Sequence, residues 1–85
     1  MERKALAKEI VDFCVEYGIF NISSTEIKEI TRRIRYQLDD YEFVENLINM
    51  IIVRTKVIDD IDTVKLKKLL IELEKTRLEL EYNAK

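Results

Sequence analysis

Residues 4–18 read Lys4-Ala5-Leu6-Ala7-Lys8-Glu9-Ile10-Val11-Asp12-Phe13-Cys14-Val15-Glu16-Tyr17-Gly18. Leu6, Ile10, Phe13 and Tyr17 follow at steps of four, three and four, the spacing that stacks side chains on one side of an α-helix. Ala7, Val11 and Cys14 widen that stripe, which suits a helix with a broad buried face. Gly18, the only glycine, stands where the helix must stop. Having no Cβ, it can take the left-handed conformation that closes a helix, with Ile19 or Phe20 folding back onto the last turn.

The chain beyond this segment repeats the pattern. Ser23-Ser24-Thr25-Glu26 predicts a capping box at the start of a second helix, in which the Ser23 hydroxyl accepts from the Glu26 amide. Ile27, Ile30, Ile34 and Leu38 mark its buried stripe. Asp39 and Asp40 are candidate caps for a third helix carrying Val44, Leu47, Ile48, Ile51 and Ile52. No Gly or Pro forces a break there, so one long bent helix is the alternative. Asp59, Asp60 and Asp62 crowd the next boundary, before a last helix from about Thr63 to Tyr82. Its Leu66, Leu69, Leu73 and Leu80 sit near heptad positions a, d, a and a, with Thr76 at the interrupted d. Val53–Val57 alternates like a short strand that could pair only with Ile19–Ile22, a two-stranded ribbon kept as a lesser outcome.

The predicted architecture is a single all-α domain over residues 1–85, a small antiparallel bundle of three or four helices. Leu6, Ile10, Phe13, Ile30, Ile34, Leu47, Ile51, Leu69 and Leu73 are expected to be buried together. A hydrophobic content of 47% supports one core, and the chain is too short for two. The formal charge of -2 gives no global attraction to nucleic acid or anionic lipid, so either would need a local patch. The longest apolar run, Met50 to Val53, is far short of the roughly 20 residues of a spanning helix. With a charged start at Glu2, Arg3 and Lys4 in place of a signal sequence, and one cysteine, the expected location is the cytoplasm.

The residue inventory argues against an enzyme. There is no histidine, so histidine-based triads, Cys-His pairs and the usual zinc sites are closed. Asp60-Ile61-Asp62 opens like a calcium loop, but Val64, Lys65 and Ile71 then occupy positions that need a ligand, a glycine and a glutamate. The adjacent aspartates sit at expected helix starts and read as caps. Cys14 lies on the apolar face of its helix, where a free thiol behaves as a small hydrophobe. No catalytic residue, metal or cofactor is therefore assigned.

Two surfaces remain. Lys28, Arg32 and Arg35, with Arg33 beside them, form a basic stripe on the second helix, as a DNA-reading helix would. Glu26, Glu29, Asp39, Asp40, Glu42 and Glu45 dilute that field, which weighs against nucleic acid. The second surface belongs to the last two helices: Asn46, Asn49 and Arg54, then Lys68, Lys75 and Tyr82, mix polar groups with surplus apolar positions such as Leu70, Ile71 and Leu78. That mixture points to a protein partner or to a homodimer.

Lys8-Glu9-Ile10-Val11, the Ile27, Ile30, Ile34, Leu38 series, Val44-Glu45-Asn46-Leu47-Ile48-Asn49, Lys56-Val57-Ile58 and Leu69-Leu70-Ile71-Glu72-Leu73 occur in an order that resembles the class IIa bacteriocin immunity proteins. These are small cytosolic antiparallel four-helix bundles of lactic acid bacteria. The resemblance implies peripheral binding to a bacteriocin-occupied sugar-transporter receptor at the inner membrane face, blocking its pore. The expected function is thus non-enzymatic protein binding of an immunity or inhibitor kind. A small DNA-binding regulator, and a phage or mobile-element accessory protein that blocks a host protein, are the alternatives.

Overall fold

The structure, a computed structural model, describes residues 1–83. It contains four helices, α1 (Arg3–Glu16), α2 (Ile27–Gln37), α3 (Tyr41–Thr55) and α4 (Thr63–Asn83), and no strand among the described residues. The fold is all-α, as the periodicities require.

Gly18 closes α1 with φ at +70°. The Gly18 amide donates to the Val15 carbonyl (3.2 Å) and the Ile19 amide to the Cys14 carbonyl (2.7 Å), the paired bonds of a Schellman motif. Ile19, Phe20 and Ile22 then lie half-buried against the core. The second helix starts later than the Ser23 box places it. The Glu26 amide bonds the Ser23 backbone carbonyl (3.0 Å), and the Ser23 hydroxyl instead donates to the Glu26 carboxylate (3.0 Å). Because the backbone carbonyl has taken the amide, residues 24–26 close as a turn and α2 begins at Ile27.

Helices α2 and α3 are separate. Asp40 adopts extended backbone, and its Oδ1 accepts from the amides of Glu42 (3.0 Å) and Phe43 (3.4 Å), satisfying donors that a continuous helix would not have left free. Asp62 does the same for α4, accepting from Val64 and Lys65 (both 3.1 Å). Its own amide donates to the Tyr17 hydroxyl (3.0 Å), tying the α3–α4 turn to the end of α1. The ribbon does not form, because Val53–Thr55 complete α3. The Thr55 hydroxyl turns back to the Ile51 carbonyl (2.7 Å), which lets it stay buried in a helix.

Packing joins two helical hairpins. The broadest interfaces are α1 on α2 and α3 on α4, with a narrower α1–α4 contact between them. Arg3 reaches Thr76 (3.3 Å) and Glu79 (3.4 Å), while Lys65 meets Glu16 (3.0 Å), so α1 and α4 run antiparallel. The Arg3 Nε also lies 3.5 Å from Asp39, an ion-pair contact without hydrogen-bond geometry, and brings the end of α2 beside the start of α1. The core collects Leu6, Ala7, Ile10, Val11, Phe13 and Cys14 from α1. Against these pack Ile34, Leu38, Val44, Leu47, Ile51, Leu69 and Leu73. Each buried Leu, Ile, Val or Phe among them contributes roughly 1.5–3 kcal/mol by leaving water. Of the residues expected in the core, Ile30 is only half-buried, and Ile52, counted on the α3 stripe, is exposed.

Candidate functional site

Cys14 and the capping aspartates Asp40 and Asp62 are engaged in structure. Cys14 is buried in the core, and burial pushes its thiol up to about 12, so it stays protonated at neutral pH. Asp40 and Asp62 hold helix amides. Among the described residues no three Asp, Glu, Cys or His side chains converge as a metal site would require.

The outer face of α4 is different in kind. Val64, Ile71 and Leu78, at steps of seven, are 65%, 51% and 51% exposed, and Tyr82 one turn beyond Leu78 is 80% exposed. This apolar line runs along a helix whose fully buried side is only Leu69, Leu73 and Thr76, with Leu66, Leu70 and Leu80 half-buried beside them, so Leu70 packs against the core and is not surplus surface. The Thr76 hydroxyl satisfies itself on the Glu72 carbonyl (2.9 Å), so the interrupted heptad position still packs inward.

Lys68, Lys75 and Tyr82 each follow an apolar residue of the line by four positions and form a row along one of its edges. Lys68 lines a hollow between α1 and α4 that includes Phe13 and Leu69. Lys75 pairs with Glu72 (3.5 Å), not with Glu79, because Glu79 is drawn to Arg3 across the α1–α4 contact. Glu72 also accepts from the N-terminal ammonium (3.2 Å), which lowers its carboxyl below the ordinary range, with help from Lys75.

The opposite edge of the line belongs to α3. Arg77 donates to Glu74 and to the Tyr41 hydroxyl (3.0 Å), lies 5.9 Å from the Tyr41 ring centre, and reaches Glu81 (3.6 Å). Its hydrogen bonds to Glu74 and Tyr41 raise the guanidinium pKa, and the bond from Arg77 holds Glu74 low. Asn49 lines a small hollow here with Glu45, Ile48, Glu74 and Arg77. Asn46 and Arg54 are exposed on α3. Of the six residues singled out from sequence, Lys68, Lys75 and Tyr82 form a row and Asn49 lines a hollow on the opposite flank of α4, while Asn46 and Arg54 join neither.

Sequence reasoning missed a third feature, a cleft of about 880 Å3 between α1 and α2. Lys28, Arg32 and Arg35 line it, as the basic stripe predicts, but Lys4 and Lys8 of α1 join them. Arg33 does not line the cleft and lies 3.5 Å from Glu29, which also holds Arg32 at 2.9 Å. That bond lowers Glu29 and raises Arg32, and a bond to Asp12 raises Lys8 in the same way. Lys4 and Lys8 stand one turn apart on the polar side of α1, a weak signal that gains meaning only once α2 is laid beside them. No family model, curated protein or solved structure matches the chain.

Proposed function

We propose that the protein is a non-catalytic, cytosolic binding module that works by occupying another protein, in the manner of an immunity or inhibitor protein. The supporting observation is the exposed line Val64, Ile71, Leu78 and Tyr82, set on the longest helix, of which only Leu69, Leu73 and Thr76 are fully buried. An apolar centre edged by Lys68 and Lys75 on one flank and Glu74 and Glu81 on the other has the composition of an interface with a polar rim. Within this reading, the resemblance to class IIa immunity proteins names the partner as a bacteriocin-occupied sugar-transporter receptor. No described helix is long and apolar enough to cross a membrane, so contact with such a receptor would be peripheral. A phage or mobile-element accessory protein that blocks a host protein would use the same surface. A DNA-reading α2 has thinner support, since Glu29 engages both Arg32 and Arg33.

The test is expression in a bacteriocin-sensitive lactic acid bacterium followed by challenge with class IIa bacteriocins, alongside pull-down from the same cells. Protection that is lost in Ile71→Glu or Leu78→Glu, with helicity and melting retained, supports the immunity role. Capture of a partner without protection rejects immunity and keeps the binding module. Neither capture nor protection, or losses that only follow loss of fold, would overturn the assignment to α4.

A further inference from the structure

The cleft between α1 and α2 carries charge that the reading of α4 does not use, and no α4 residue lines it. Lys8 is paired with Asp12 (2.8 Å) and Arg32 with Glu29 (2.9 Å). Among the described residues, Lys4, Lys28 and Arg35 have no ion-pair partner, and all three open into the cleft. Lys28 and Arg35 stand seven residues apart on α2, about 10 Å at the helical rise, while Lys4 lies on the first turn of α1. Ala5 and Ile27 are the apolar residues of the cleft's lining, and the aliphatic stems of the Lys and Arg side chains add to its apolar surface. Thr31 is also there, but its hydroxyl is already satisfied by the Ile27 carbonyl (2.7 Å). The α1 side runs from Glu2 to Asp12, about 15 Å, the length of a peptide helix of roughly ten residues.

We propose that this cleft is a docking groove for an acidic amphipathic helix of a partner protein. Its apolar side lies on Ala5 and Ile27, and Asp or Glu side chains two turns apart meet Lys28 and Arg35, with Lys4 within the same groove. Charge complementarity selects this occupant. Glu2, Asp12 and Glu29 line the cleft among the cations, so a continuous phosphate backbone meets repulsion at each of them. A peptide helix places carboxylates only at chosen steps and leaves neutral or basic residues opposite the cleft's own acids.

Short helical peptides displayed as a random library and panned on the full chain provide the test. Enrichment of sequences with Asp or Glu at i and i+7 beside an apolar stripe is expected. The synthesised winner should bind about tenfold or more weakly to Lys28→Glu with Arg35→Glu, lose affinity as salt rises, and bind Ile71→Glu as well as wild type. If the charge-reversed pair fails to fold, Lys28→Gln with Arg35→Gln serves instead. No enrichment, winners without acids, or winners indifferent to these substitutions would overturn the groove. Duplex DNA that binds more tightly than the winner and depends on the same pair would also overturn it and reassign the cleft to nucleic acid.

Discussion

Helix α1 and helix α4 are built from similar residue types and use them differently. In 14 residues α1 buries Leu6, Ala7, Ile10, Val11, Phe13 and Cys14. In 21 residues α4 buries Leu69, Leu73 and Thr76, and leaves Val64, Ile71, Leu78 and Tyr82 in the open. The difference follows from neighbours, not from apolar content. Helix α1 is gripped on one side by α2 and on another by α4, so a wide stripe finds partners all along it. Helix α4 leans mainly on α3 and touches α1 over a narrower contact, so only a heptad seam is covered. Val64, Ile71 and Leu78, outside that seam, are left free to serve another surface.

Core truncations should give the largest contrast. Ile10→Ala or Leu73→Ala empties a fully buried position and is expected to cost about 2–5 kcal/mol in urea unfolding. Leu78→Ala, on the open side of α4, should stay within about 0.5 kcal/mol. A cost for Leu78→Ala that matches Leu73→Ala would mean the outer line is covered in solution, and the contrast between the helices would fail.

A smaller effect is expected at the end of α1. A Cβ on Gly18 meets nothing within 4 Å, so Gly18→Ala is opposed only by the left-handed backbone. That strain is roughly 1–2 kcal/mol, read as a lowered unfolding midpoint. A neutral result would show that the Schellman turn relaxes without loss.

The subtlest contrast is in pH. Glu72 and Glu74 on α4 have lowered pKa values, so they hold fewer protons folded than unfolded at mildly acidic pH. Their contribution is present above the ordinary carboxylate value of about 4.3 and is lost as pH falls through the lower folded values. Cys14 on α1 is shifted the other way. Its contribution is complete below the ordinary thiol value of about 8.5 and is lost as pH rises toward its folded value of about 12. Thermal melting across pH should therefore show a shallow acid slope that Glu72→Gln with Glu74→Gln reduces, Glu29 keeping a share, and an alkaline slope that Cys14→Ala reduces, Lys8 and Lys65 keeping a share. The opposite assignment of either slope would break the contrast.

Much of this architecture is legible in the residues. The step pattern of α1, Gly18, and the capping aspartates Asp40 and Asp62 each follow from local physics, which a single segment carries within itself. Ser23 shows the limit of that locality, since its box competes with a backbone turn that satisfies the same amide. The α2–α3 break is decided by the hydrogen bonds that the Asp40 carboxylate accepts from two amides, which the sequence leaves undetermined. The candidate surfaces were only half legible. Spacing places Lys68, Lys75 and Tyr82 in one row, but nothing in the sequence says that Glu79 turns to Arg3 or that Lys4 and Lys8 join the α2 cations. Those facts depend on which helices pair, and pairing is decided by the whole core.

The hydrogen bond from the Asp62 amide to the Tyr17 hydroxyl joins residues 45 positions apart. The same narrow α1–α4 contact carries the Arg3–Thr76, Arg3–Glu79 and Lys65–Glu16 bonds, all between the two hairpins. Each hairpin closes a short stretch of chain and can assemble early, whereas the joint between them requires the longest loop closure in the molecule. The joint thus acts as a clasp fastened after the climb over the folding barrier, governing how long the native state survives more than how fast it is reached. Tyr17→Phe and Arg3→Ala are expected to quicken unfolding in stopped-flow measurements while leaving refolding rates close to wild type. Slowed refolding in either variant would place the clasp inside the folding nucleus.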